Sequence, residues 1–287
     1  MKPITESGAR ALLSLLVDED RAAVDLARNK LMEAGPAVLD LLQDAEHSDD
    51  ARLRVRVRPL IEHLRQKGLE REFELLVRRE SPGDVDLEAG ACLIARFGDS
   101  GVDGAAVSAE LDRIAALVTR RLPDSHDALD ALELTNQVIF RELGFEGNTS
   151  DYYDPDNSYL HRVLERRTGL PITLSVVYLL VGRRIGLPVH GVGMPSHFLV
   201  KVDVPCEEVF VDPFNRGMCL TREDCLERIG TSSEGFAELF LMRTPPVRIL
   251  VRMLANLRYS YGRSPRDPRP AQLERFIRVL LSSSHGK

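Results

Sequence analysis

The chain has 287 residues, 44% of them apolar and 29% charged, with a net charge of −6 and four cysteines. That length buries a real core and has room for about two domains at roughly 150 residues each, while the negative charge excludes bulk affinity for nucleic acid, which needs a basic field to displace counterions. Cys92, Cys206, Cys219 and Cys225 make no disulfide framework, and no stretch approaches the ~18 unbroken apolar residues of a membrane span. The opening M-K-P-I-T-E-S carries no apolar leader, so a soluble cytoplasmic protein with neither a nucleic-acid nor a membrane partner is expected.

Residues 1–100 read as helices. Apolar stripes recur at Leu12/Leu13/Leu15/Leu16, at Val24/Leu26/Ala27/Leu31 and at Val38/Leu39/Leu41/Leu42. Gly35-Pro36 punctuates them as a stop followed by an N1 proline. Arg21 and Arg52 follow similar Leu-rich segments, an echo of the kind HEAT-like helical arrays show. A-R-L-R-V-R-V-R-P (51–59) alternates like a strand, but a lone strand among helices would leave its backbone groups unpaired. Helix is therefore expected there, with Pro59 kinking it or starting the next, and the four arginines read as solvated charges. Glycines and acids near residue 100 mark the expected boundary of the first domain.

Two amphipathic helices are expected at Ala105–Leu122 and Ser125–Leu143, the second capped by Asp124 or Ser125. After a loop over 145–157, short helices start at Ser158 and Pro171. The loop offers Gly147-Asn148 as a positive-φ turn, and Asn157 or Ser158 as the cap of the helix after it. Eight of the ten residues Ile172–Val181 are apolar all round, which predicts a buried central helix with Pro171 at N1 and Gly186 at its end. Strands follow at Val189–Met194, His197–Val202 and Val209–Asp212, then a helix capped by Thr221 with Asp224 three residues on. Val247–Tyr261 and Ala271–Leu281 form a closing helical hairpin. The fold class expected is α+β in three parts: helical 1–100, a mixed domain 101–240, and the hairpin 241–287.

A His and an Asp delivered by adjacent strands, facing the start of a buried helix, are the orienting half of a cysteine-protease-type triad. The motifs G-F-E-G-N (Gly144–Asn148), D-Y-Y-D-P-D-N-S (Asp151–Ser158), R-T-G-L-P (Arg167–Pro171), P-S-H-F (Pro195–Phe198) and D-P-F (Asp212–Phe214) resemble the Sir-B-type transglutaminase-like family, named after a bacterial invasion regulator. The resemblance spans about residues 105–225. It implies a transglutaminase-like, papain-like core in which His197 and Asp212 match the family's His and Asp. Pro171 stands where active transglutaminases carry their Cys, a departure that the resemblance implies for the family as a whole. Ser196 occupies a position where members usually show Gly.

The functional reading of His197 and Asp212 is an oriented acid–base dyad, and the plainer reading is a buried polar pair. Without a nucleophile covalent acyl transfer is closed, which favours the plainer one. Ser175, one turn past Pro171, would restore a triad on paper, although a mid-helix serine usually bonds a backbone carbonyl. A displaced thiol from Cys206, Cys219 or Cys225 is the other route to an enzyme, a hydrolase or acyltransferase. His161, His190, His197 and Asp212 lack close ligand spacing, so neither a metal nor another cofactor is expected. Asn148, Tyr153, Asn157, Pro171 and Phe198 are expected to line a cleft beside His197. The expected function is a non-catalytic binding or regulatory module with a protein or peptide partner.

Overall fold

A computed structural model describes residues 4–78, 85–204, 207–230 and 238–282. The chain forms two compact units, Met1–Glu72 and Phe73–Lys287. The first contains α1 (Glu6–Leu15), α2 (Arg21–Ala34), α3 (Leu39–Glu46) and most of α4 (Ala51–Arg78). Its core is built from the expected stripes, with Leu13, Leu16, Leu31, Val38 and Leu42 meeting Val57, Leu60 and Leu64. Gly35 takes φ 66° and Pro36 opens a short 3-10 turn, so Gly-Pro punctuates the chain as expected. The Arg-alternating stretch is helical, with Pro59 inside α4. Its arginines are engaged: Arg54 donates to Ser48 O and Asp49 O, Arg56 to Leu16 O, Arg58 to Glu46, and Arg52 lies near Asp50.

The second unit mixes helices with small sheets, an α+β arrangement. Its helices are α5 (Leu87–Gly98), α6 (Gly104–Thr119), α7 (Ala128–Asn136), α8 (Leu160–Arg166), α9 (Pro171–Arg184), α10 (Arg222–Ile229) and the hairpin α11 (Pro246–Gly262) and α12 (Arg269–Ser282). The cap of α7 is Asp127, in a capping box with Asp130, and not Asp124 or Ser125. A box three residues further on satisfies two orphan amides at once and so outcompetes the earlier residues. The expected long helix also changes character at Gln137–Glu142, which form a π-turn. α5 packs on α8 and α11. A Cβ on Gly90 would fall 2.3 Å from Leu250, so the α5–α11 approach needs that glycine.

The main sheet is a four-stranded antiparallel meander of β3 (Val189–Val192), β4 (Leu199–Val204), β5 (Glu207–Asp212) and β6 (Met218–Leu220). Side chains alternate between its faces. Val192, Leu199, Phe210 and Leu220 cluster with Cys225 and Leu241 on one face. Val189 faces α9, its Cγ2 2.9 Å from where a Cβ on Gly182 would sit. β1 (Glu146–Gly147) and β2 (Thr168–Gly169) form a separate two-residue parallel pair. β1, β2 and β6 were not foreseen, because two- and three-residue strands are too short to show a period.

Candidate functional site

α9 is the central element of the site. Leu170 is extended, Pro171 occupies N1, and every residue from Pro171 to Gly182 is buried. Such an all-round apolar helix has no solvent face to turn outward. At its far end Arg184 reaches Glu88 of α5 at 2.8 Å and Asp112 of α6 at 2.5 Å, and Gly186 follows at φ 76°. At its near end the Ser175 hydroxyl donates to Pro171 O at 2.8 Å and to Phe198 O at 3.3 Å. The first turn of α9 is thereby apposed to the residue after His197. Thr173 Oγ1, in that same turn, is buried without a hydrogen-bond partner.

His197 does not lie in a strand. It sits in the turn leading into β4, just after Ser196, whose φ of 55° breaks the extended chain. A non-glycine residue in this left-handed region carries backbone strain. Asp212 is the last residue of β5 and is fully buried. His197 Nε2 approaches Asp212 Oδ1 to 2.9 Å. The two atoms are close, but their geometry does not make an aligned hydrogen bond. Asn215 supplies the aligned bonds, its Nδ2 to Oδ2 at 2.8 Å and its backbone amide to Oδ1 at 3.3 Å, while Arg228 Nη1 lies 3.5 Å from Oδ2. Burial pushes the Asp212 carboxyl up, but His197 and Asn215 together outweigh it and hold the group below its ordinary value. The Phe214 ring stands edge-on to the imidazole, 6.1 Å between centroids.

Several glycines and loop residues of the motifs serve this geometry. Gly147 does not adopt positive φ as expected; Gly144 does, at 73°. What Gly147 provides is space, since a Cβ there would fall 2.5 Å from the Phe214 ring. Asn148 Nδ2 donates to Asn157 Oδ1 at 3.0 Å, and Asn157 Nδ2 donates to Asp151 O at 2.7 Å. Tyr159, not Asn157 or Ser158, stands at the N-cap of α8 and gives it no side-chain cap bond; Asp154 caps the short 3-10 turn before it and, with Asp156, pairs with Arg166 at 2.8 Å and 3.2 Å.

Of the five residues expected to line a cleft, Asn157, Pro171 and Phe198 are buried and Asn148 is 8% exposed. The Asn157 amide turns inward to give donors to the Asp151 and Tyr152 carbonyls, and the Asn148 oxygen accepts from the Ser150 hydroxyl and the Asp151 amide. Tyr153 is exposed, packed between Tyr152 and Tyr259 with Arg263 over its ring. His161 and His190 are not brought to the dyad: His190 faces Asp203 at 3.4 Å, and His161 lines a separate cavity with Asp99 and Arg167. Cys225 is buried, its thiol pushed up to about 11 by burial. Cys219 is exposed, and burial of its sulfur by neighbours pushes that thiol up although Asn136 donates to it. Cys206 lies outside the described residues.

Arg252 on α11 is the residue that sequence reasoning missed. Its Nη2 donates to His197 O at 2.7 Å and to Met194 O at 2.9 Å, and its guanidinium stacks over Phe198 at 5.4 Å. It therefore clamps the His197 turn from 55 residues away. Nothing in the sequence sets it apart from Arg248 and Arg258 on the same helix.

A buried helix start facing a His–Asp pair at one end of the inner strands of an antiparallel sheet is the arrangement of transglutaminase-like domains. The transglutaminase-like superfamily model matches residues 105–255, and the chain belongs to that superfamily. It is similar to a UPF0162 protein of Xylella fastidiosa strain Temecula1, 42% identical over 152 residues, which cover 50% of this chain and 54% of that protein. A UPF0162 protein of Vibrio cholerae is 30% identical over 107 residues, 37% of this chain and 40% of the other. F-box only protein 21 of Mus musculus is 40% identical over 108 residues, 34% of this chain and 17% of that protein. The chain thus spans about half the length of the Xylella relative and less of the others. No solved structure matches it.

Proposed function

We propose that this chain is a Sir-B-type transglutaminase-like protein without acyl-transfer activity, working as a binding or regulatory module for a protein or peptide segment. The N-terminal helices are read as a HEAT-like addition to that module. The observation that carries the proposal is Pro171 at N1 of α9, where a thiol nucleophile would stand beside His197. A proline ring offers no lone pair for attack. The first-turn amides of α9 and the unpartnered Thr173 hydroxyl suit a carboxylate or amide oxygen. F-box only protein 21 devotes only a small share of its length to the similar region, which accords with a module that works beside others.

A second reading, a hydrolase or acyltransferase, is favoured by the 2.9 Å approach of His197 to Asp212. Against it, Ser175 is buried with its proton directed at backbone carbonyls, and the Cys219 and Cys225 thiols are held protonated. The test is turnover of a panel of glutamine peptides, esters and amides by the purified chain. The proposal expects none above the rate of the His197→Ala variant. Turnover that His197→Ala abolishes would replace it with the second reading.

A further inference from the structure

A cavity of about 630 Å³ opens between the exposed face of α7 with its π-turn and the turn that enters β6. It adjoins the dyad through Asn215, which lines it, but its chemistry is its own. The exposed side chains of Leu129 and Met218, at 42% and 49%, line it together with buried Leu132. Glu133 and Arg141 lie at its rim, and neither has an ion-pair partner among the described residues. Asn136 sits between them. Its Nδ2 donates to Gly217 O at 3.1 Å, which fixes the amide's orientation and leaves Oδ1 buried with no donor.

These features describe one ligand. An unpaired guanidinium asks for a carboxylate, an unpaired carboxylate for an ammonium, and a buried amide oxygen for an N–H between them. Glu133 and Arg141 are eight positions apart, at most about 12 Å along the axis because the chain widens into the π-turn from Gln137. A single amino acid is too short to span that distance, whereas three or four extended residues at about 3.3–3.6 Å each match it. Leu129 and Leu132 cluster at the Glu133 end, which places an apolar side chain at the ligand's amino end. We propose that this cavity binds a short free peptide of three or four residues, with an apolar first residue at Leu129 and Leu132, its amino group at Glu133, its backbone N–H on Asn136 Oδ1, and its terminal carboxylate at Arg141.

The test is calorimetric titration of the full chain with Leu-Gly-Gly, N-acetyl-Leu-Gly-Gly and Leu-Gly-Gly-amide. The free peptide should bind saturably at one site, and capping either end should weaken it by about threefold to fivefold, the range of exposed charge pairs. In Arg141→Gln the difference between the acid and the amide should vanish while the penalty for acetylation remains, and Glu133→Gln should do the reverse. Both side chains are exposed, so each variant keeps the fold, which circular dichroism verifies. Absence of saturable binding, or an acid-over-amide preference that survives Arg141→Gln, overturns the proposal. Neither result touches the reading of Pro171, because no residue of α9 is involved.

Discussion

Asp212 is a carboxylate with no exposure to water, held below its ordinary value by His197 and Asn215, with Arg228 3.5 Å from Oδ2. Removing it as Asp212→Ala should cost about 1–3 kcal/mol at neutral pH, because the charge-assisted hydrogen bonds that Asn215 donates to the carboxylate are lost. The pH dependence has a definite sign. The folded carboxyl lies below its ordinary value, so its contribution is complete above the unfolded value of about 3.9 and is lost as pH falls through the folded one. Urea denaturation of the parent and the variant from neutral to acid pH should therefore show a penalty that shrinks on acidification. A penalty independent of pH would mean that the carboxylate charge contributes nothing. At this scale His197 and Asp212 stand out through their motifs, and Nε2 and Oδ1 lie 2.9 Å apart. The roles of Gly147 and the two asparagines were not legible. A glycine's reason, whether positive φ or room for a ring, depends on a partner 67 positions away, and an amide's direction depends on which carbonyls need donors.

Among the elements, the buried helix α9, the hairpin α11–α12 and the capping box of Thr221 with Asp224 follow closely from local signals of period and cap. The failures share one cause, namely that tertiary contacts settle what local sequence leaves open. The left-handed turn at Ser196 keeps His197 and Phe198 out of a strand that the sequence reading starts at His197, and the three smallest strands exist only through their partners. Arg252 belongs to this scale, since it ties α11 to the turn carrying His197. Arg252→Met keeps the bulk over Phe198 but removes both donors to the Met194 and His197 carbonyls. It should destabilise the chain by about 1–3 kcal/mol, measured by thermal or urea unfolding, with partial recovery in Arg252→Lys. Unchanged unfolding in Arg252→Met would show that water satisfies those carbonyls equally well.

For the whole molecule, composition and charge gave the class and the motifs gave the superfamily, while the compact units divide at Glu72 and Phe73. No helix among the described residues is long and apolar enough to cross a membrane. The central claim is that α9 holds the place of a catalytic helix with Pro171 in the nucleophile's position. Pro171→Cys tests it most directly, through the pKa of the introduced thiol followed by thiolate ultraviolet absorbance as the difference from the parent chain. Cys92, Cys219 and Cys225 all lie above the ordinary thiol value and titrate apart from it. The helix end and the imidazole should bring the new thiol below the ordinary value of about 8.5, and adding His197→Ala should raise it again. A thiol in Pro171→Cys that titrates at or above the ordinary value, indifferent to His197→Ala, would contradict the alignment of α9 with a catalytic helix.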